Sequence, residues 1–437
     1  MTSEYFEISN RQQRLVEALG DDLLIVPAGS ASGAISRFRQ ASNFFYLTGF
    51  PEHGAVLVID PGDENGAVNL FIRENDERET IWDGFTMGVE KTAANYPADT
   101  VSHINDLEAF LEKRLHGRCL HYRPAEKHPF GSVIGSAIRE QNPEVSAEGA
   151  IFDLIVEMRM VKSPAEIEHI RKAVAITRAA MHACMRAGTR HRMEYQFEAE
   201  LEYHFRKEGA LHNAFGTIVA AGSHATCQHY IENDGPVGED DLILIDGGAV
   251  WQGYCGDLTR TFPASGTFST IQRELYEVVL ASEKAGIEKV APGVCMIDIH
   301  KHAAAVLIDG LKEMKLLHGD TEELIESERY KEIWPGALCH ALGIDVHDVT
   351  LPGYPKGDRP LKPGMVITVE PGFYSQAFNE AIPEAYRGIG IRIEDNVLVT
   401  EDGHENLSID TVKEVSDVEA LVQSGRAADS AHPTSLH

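Results

Sequence analysis

The sequence predicts two domains, an α/β domain followed by an α+β domain, and three observations carry that prediction. The chain has 437 residues. At about 100–200 residues per domain, that length predicts two or three domains with a real core. Over roughly the first third, short apolar runs alternate with helical patterns. From Gly216 onward the pattern changes to strands and tight turns, interrupted by long helices.

In the first part, Leu23 to Val26, Phe45 to Leu47, Ala55 to Ile59 and Val68 to Ile72 are rich in Val, Ile, Leu and aromatics and read as strands. Ile104 to Leu115 reads as a helix, and Met158 to Ser163 as a linker. Ser163-Pro164-Ala165-Glu166 is a helix start: Ser163 can cap, Pro164 fits the first helical position, and Glu166 can close a capping box. A second helix, Glu194 to Glu208, follows the loop around Gly188. Thr217 to Ala221 is a strand, and Leu242 to Asp246 and Gly253 to Phe262 read as a hairpin around Gly247-Gly248. Helices at Thr270–Val290 and Met296–Met314 follow, then strands at Met365 to Glu370, Gly390 to Glu394 and Asn396 to Val399. The expected domains are 1–157 and 158–422, with 423–437 read as a mobile tail because it is poor in large apolar residues.

Composition narrows the function. Hydrophobic residues are 43% and charged residues 24%, which excludes a mainly disordered chain. Asp and Glu number 68 against 39 Lys and Arg, a net charge of −29. So acidic a surface repels phosphates, so nucleic acid and anionic membrane are poor partners. No two of the six cysteines form a C-x-x-C pair, and scattered thiols fit a reducing compartment. Met1 to Gly20 lacks the apolar core of a signal peptide, and runs such as Leu23–Ala28 are too short to span a bilayer. The expectation is a soluble cytoplasmic protein.

Five polar residues sit in or at the end of otherwise apolar segments. Asp246 closes Leu242-Ile243-Leu244-Ile245; Asp257 lies in Tyr254-Cys255-Gly256-Asp257-Leu258; His340 lies in Leu338-Cys339-His340-Ala341-Leu342. Glu370 ends Val366-Ile367-Thr368-Val369, and Glu394 ends Ile391-Arg392-Ile393. Taken singly, Asp246 reads as a turn residue, Asp257 and Glu370 as strand-end acids, and His340 as a satisfied core histidine. As a set, four buried acids and one imidazole need cations to be tolerable. Two ions accommodate all five if two of the carboxylates bridge.

The order and wording of these segments resemble the metal-dependent pita-bread peptidases, specifically the aminopeptidase P and prolidase branch. The match runs through Leu244-Ile245-Asp246-Gly247-Gly248, Asp257-Leu258-Thr259-Arg260-Thr261-Phe262, His340 with Gly343-Ile344-Asp345-Val346-His347-Asp348, Thr368-Val369-Glu370-Pro371-Gly372 and Gly390-Ile391-Arg392-Ile393-Glu394. Lys162-Ser163-Pro164 and Asn43-Phe44-Phe45-Tyr46-Leu47-Thr48-Gly49-Phe50 are similar to the bacterial aminopeptidase P members. The resemblance implies a creatinase-like α/β N-terminal domain and an α+β pita-bread catalytic domain, a curved antiparallel sheet backed by helices. It implies that Asp246 binds one metal, Asp257 and Glu394 bridge, and His340 and Glu370 complete the second. The donor set suits Mn²⁺ first, with Co²⁺ or Zn²⁺ as alternatives.

Glu370 would also be the general base, then acid. His229 and His347 match histidines that contact substrate and stabilise the oxyanion. Arg392 and Tyr374 match substrate-contacting or supporting positions. Trp82 matches a tryptophan inserted into a neighbouring subunit's site, with an ordinary packed tryptophan as the alternative. Arg260 is either a partner of the bridging acids or a strand-surface charge. Three positions depart from the pattern: Gly336 stands where the family has a histidine, Gly33 where it has an acid, and Phe215 where it has a tyrosine.

The expected activity is release of the N-terminal residue from peptides with proline second, by a homodimer or homotetramer. The alternatives are a prolidase acting on Xaa-Pro dipeptides, a related hydrolase of non-proline substrates, and a weakly active or non-catalytic peptide-binding pita-bread protein.

Overall fold

The computed structural model describes residues 3–30, 37–74, 80–82, 84–124, 130–354 and 359–431. Gly33 lies outside the described residues. The chain divides into two compact units, Met1–Arg159 and Met160–His437.

The first unit is built on a six-stranded sheet. Its two central strands are Val56–Ile59 and Leu23–Pro27, paired antiparallel. Cys119–Tyr122 runs parallel to Leu23–Pro27, with Glu144–Ser146 outside it. Val68–Ile72 and Thr100–His103 extend the other side. Val56–Ile59 and Val68–Ile72 are buried throughout, as expected for strands covered on both faces. Leu107, Leu111, Leu115, Ile134 and Ala137 close the core from helices Leu107–Arg114 and Gly131–Gln141 and the turn that follows the first of them.

Phe45 to Leu47 is not a strand. It lies inside helix Ser42–Thr48, which Gly49 ends with φ 64° and an amide bonded to the Phe45 carbonyl. The helix stop at Gly49 outweighs the β preference of the aromatic run.

In the second unit, helix Pro164–Ala187 starts as expected: the Ser163 hydroxyl accepts the Glu166 amide, and the Glu166 carboxylate accepts the Ser163 amide at 2.9 Å. Helices Thr270–Lys289 and Met296–Glu313 pack together, tied by the Ser282 hydroxyl on the Ala303 carbonyl at 2.8 Å. All pairings between the named strands of this unit are antiparallel. Leu242–Gly247 lies between Ile218–Ala221 and Leu258–Pro263, with Asp246 opposite Ile218 and Thr259. Val366–Val369 pairs with Asp395–Val399, and Gly372–Ser375 with Ile389–Arg392.

The single strand expected over Gly253 to Phe262 is two. Tyr254–Cys255 pairs with Ala249–Trp251, while Leu258–Pro263 pairs with Leu242–Gly247. The break falls at Gly256-Asp257, where a Cβ on Gly256 would stand 3.0 Å from the backbone of Ala173 and Val174. That close approach turns the chain from one sheet to the next and leaves Asp257 at the junction.

Residues 423–431 also depart from the expected tail, because they continue helix Val415–Ala431. Val422 is fully buried, and the Gln423 amide donates to the Gly266 carbonyl at 2.9 Å. Among the described residues no helix is long and apolar enough to cross a membrane. All six cysteines are free thiols.

Candidate metal centre

Asp246, Asp257, His340, Glu370 and Glu394 line one cavity of about 520 Å³ in the second unit. Asp246 lies within a strand, and the other four sit in non-strand backbone that strands position. Asp246 lies near the end of Leu242–Gly247, and Asp257 lies at the strand break. The segment 338–342 bonds along Val366–Val369: Thr368 donates to the His340 carbonyl at 3.0 Å, and Glu370 donates to the Leu338 carbonyl at 2.8 Å. Glu394 follows Ile389–Arg392, and its amide donates to the Thr259 carbonyl at 3.1 Å.

The donor atoms crowd together. One ligand atom from each of Asp257, His340 and Glu394 lies within 4.8 Å of the others. His340 Nε2 stands 3.4 Å from Asp257 Oδ2 and 3.3 Å from Glu370 Oε1. Its Nδ1 sits 3.1 Å from the Ala341 carbonyl, an acceptor that fixes the proton on Nδ1 and aims the Nε2 lone pair at the acids. That is the tautomer a metal ligand requires.

Burial, then repulsion from Asp246 and Glu370, pushes the Asp257 carboxyl well above the usual carboxylate range. Burial, then Asp257, Glu370 and Asp246, does the same to Glu394. Among the described residues, Asp246 Oδ1 and Glu394 Oε1 are buried with no hydrogen-bond partner. Orphaned carboxylate oxygens in such a cluster fit a divalent cation, whose charge offsets both the burial and the repulsion. The other Glu394 oxygen accepts the Thr259 hydroxyl at 2.7 Å. The Asp257 backbone is pinned by Asn396, whose Oδ1 accepts its amide at 3.0 Å.

Arg392 is buried and organises one side. It donates to Asp246 Oδ2 at 2.5 Å, to the Tyr374 hydroxyl at 2.8 Å and to the Thr259 hydroxyl at 3.1 Å. His229 and His347 also line the cavity. The His347 ring meets the His340 ring edge-on at 4.4 Å between centroids. Burial, then the neighbouring His340 and His229, lowers the His347 pKa. Trp82 belongs to the first unit and is 84% exposed.

Arg260 is neither a partner of the Asp257 and Glu394 carboxylates nor a surface charge. It is fully buried, with Nη2 on Asp395 Oδ1 and Nη1 on the Glu394 backbone carbonyl, both at 2.6 Å. Asp395 also receives Lys413, which in turn reaches Glu283. Sequence reasoning missed Thr259 and Asn396, which steady the acids, and Gln228 and Trp334, which line the cavity. Thr259 was findable, because period-two alternation puts it on the same face as Asp257. Asn396, two residues after Glu394, carries the same signal, whereas Gln228 and Trp334 do not.

An oxygen-rich donor cluster with one imidazole, set at strand ends inside a cavity, defines a metal-dependent hydrolase. The comparisons agree. Residues 168–401 match metallopeptidase family M24, and residues 8–121 match the aminopeptidase P N-terminal domain. The Xaa-Pro aminopeptidase of Escherichia coli K12 is 35% identical over 435 residues, covering 96% of this chain and 98% of the relative. That of Haemophilus influenzae is 37% identical over 388 residues, covering 88% of each. The solved structure of Pseudomonas aeruginosa aminopeptidase PepP superposes with a TM-score of 0.91 at 36% identity, covering 97% of this chain and 99% of that one. A zinc-substituted E. coli aminopeptidase P in complex with product superposes at 0.90 with 34% identity and the same coverage. The chain belongs to metallopeptidase family M24, with an aminopeptidase P N-terminal domain ahead of a pita-bread peptidase domain.

Proposed function

We propose that this protein is an Xaa-Pro aminopeptidase, a hydrolase that releases the N-terminal residue from peptides whose second residue is proline. One observation carries it: four carboxylates and one imidazole converge in a single cavity, flanked by two further histidines and an Arg392–Tyr374 pair. The relatives that match along nearly the whole chain bear that name.

In this account Asp246, Asp257, His340, Glu370 and Glu394 would hold two divalent cations, Asp257 and Glu394 being the carboxylates that would serve both. The oxygen-dominated set fits Mn²⁺, with Co²⁺ or Zn²⁺ as alternatives. Bound ions supply the charge that polarises the scissile carbonyl and makes water acidic. Glu370, partly exposed to the cavity, takes the proton from the attacking water and passes it to the proline nitrogen as the C–N bond breaks. The products are a free amino acid and a peptide with a secondary amine at its new N-terminus. His229 and His347 donate to the carbonyl oxygen as it gains charge. Arg392, held by Asp246 and Tyr374, orients the first carboxylate.

The proline nitrogen explains a dedicated enzyme. It carries no hydrogen and its ring fixes the backbone angle, so peptidases that need a donor there fail. Trp82, exposed on the first unit, is assigned to substrate contact in a neighbouring copy within a homodimer or homotetramer. The boundary between the two domains is assigned at 157/158, and the place of action as the cytoplasm.

The test is hydrolysis of Xaa-Pro, Xaa-Pro-Yaa and Xaa-Ala-Yaa peptides by manganese-reconstituted protein. Cleavage of Xaa-Pro-Yaa at the Xaa-Pro bond is the expected result. Cleavage of the dipeptide alone would make the protein a prolidase, and cleavage of none would overturn the assignment.

A further inference from the structure

One wall of the cavity is used by nothing in the mechanism above. Gly336 lies in it, with Gln228 and Trp334 alongside. A Cβ at Gly336 would stand 3.1 Å from Gln228 Nε2, 3.5 Å from Trp334 Nε1 and 3.7 Å from Gln228 Oε1. The Gln228 carboxamide therefore occupies the volume that a side chain at position 336 would fill. Both nitrogens lie close to one point on the cavity wall.

Among the described residues, neither the Gln228 carboxamide nor the Trp334 indole N–H has a hydrogen-bond partner. The indole is nonetheless fixed. Trp334 is 1% exposed and packs on the His300 ring at 4.9 Å between centroids. His300 is itself bound at both nitrogens, accepting the Leu338 amide at 3.2 Å and meeting the Tyr330 hydroxyl at 2.6 Å. A rigid donor and a two-way amide, both without internal partners, form a polar recognition surface rather than packing.

Substrate chemistry says what fits there. The N-terminal amine is a cation with donors only, and its place is beside the carboxylates. Beyond the proline ring the peptide offers a carbonyl acceptor and, in any peptide longer than two residues, the next N–H. A carboxamide matches both at once: Nε2 donates to the carbonyl and Oε1 accepts the N–H. A dipeptide ends instead in a carboxylate, which has no hydrogen to give.

We propose that Gln228, with Trp334 beside it and Gly336 beneath, is a specificity residue that reads the peptide group following proline and favours Xaa-Pro-Yaa over Xaa-Pro. The proposal deepens the peptidase assignment and rests on it.

The test compares kcat/KM for Ala-Pro-Leu and Ala-Pro in the manganese-loaded full chain. Gln228→Leu keeps the bulk and removes both hydrogen bonds. The tripeptide-to-dipeptide ratio is expected to fall about tenfold. Gly336→Ala, whose Cβ displaces the carboxamide, should move the ratio the same way. A ratio unchanged in both variants overturns the proposal. Calorimetric binding of the product Pro-Leu provides a readout independent of turnover: its affinity should fall about tenfold in Gln228→Leu, and equal affinity in both proteins overturns the proposal. If the wild type cleaves neither peptide, the peptidase assignment fails, and the Pro-Leu comparison still decides this one.

Discussion

The Lys162 ammonium lies 3.1 Å from the Asp348 carboxylate, and each side chain is 1% exposed. The pair ties the start of helix Pro164–Ala187 to the loop that carries His347. Removing one partner of such a pair takes the opposite charge away from a buried group, which costs about 3–5 kcal/mol. Lys162→Met should therefore lose stability of that order in urea unfolding. Pairing it with Asp348→Leu should recover most of the loss, because the buried negative charge is removed together with its counter-charge. A single variant as stable as the wild type would show that the pair does not hold this loop.

Arg392 joins Asp246, Tyr374 and Thr259 through three different nitrogens. A lysine keeps the charge and cannot make that fork. Arg392→Lys should lower kcat/KM on an Xaa-Pro-Yaa peptide about tenfold or more. Tyr374→Phe, which removes one arm, should cost less. Equal activity in Arg392→Lys and the wild type would assign the arginine to charge alone.

Two histidines predict how stability depends on pH. His182 accepts the Val412 amide at 3.2 Å, and His300 accepts the Leu338 amide. Burial, reinforced by Arg186, Arg260 and Arg178 against Asp410, lowers His182 from 6.5 to about 4. Burial, then Lys331 and Lys301 against Glu328, lowers His300 from 6.5 to about 4. Folded pKa values below unfolded ones mean that the stability is fully present above pH 6.5 and is lost as pH falls toward 4. Each proton contributes a slope of at most about 1.4 kcal/mol per pH unit. Denaturant unfolding at stepped pH, compared between the wild type and a variant, reads this contribution as a difference in slope. His182→Gln, which retains an acceptor and does not titrate, should reduce the slope. A slope unchanged in that variant would remove His182 from the account.

Much of this was legible in the sequence because the signals were local. Ser163, Pro164 and Glu166 announce a capped helix, and the structure builds it. Acids at the ends of apolar strands announce a site, since such positions are costly without a partner. What the sequence hid is set by long-range packing. Phe45 to Leu47 has strand composition, yet Gly49 closes it as a helix. The break at Gly256-Asp257 comes from a helix backbone more than 80 residues earlier in the chain. Arg260 is a buried strut because Asp395 and Lys413, distant in sequence, arrive beside it. Gln228 and Trp334 share no spacing with the donor residues, so only the cavity reveals them.

The central claim is that five side chains grip divalent cations. Calorimetric titration of the metal-free full chain with Mn²⁺ tests it most directly, in the wild type and in Asp257→Ala, whose carboxylate is assigned to both ions. The account predicts two manganese ions per wild-type chain and loss of tight binding in the variant. Undiminished manganese binding by Asp257→Ala, or none by the wild type, would contradict it.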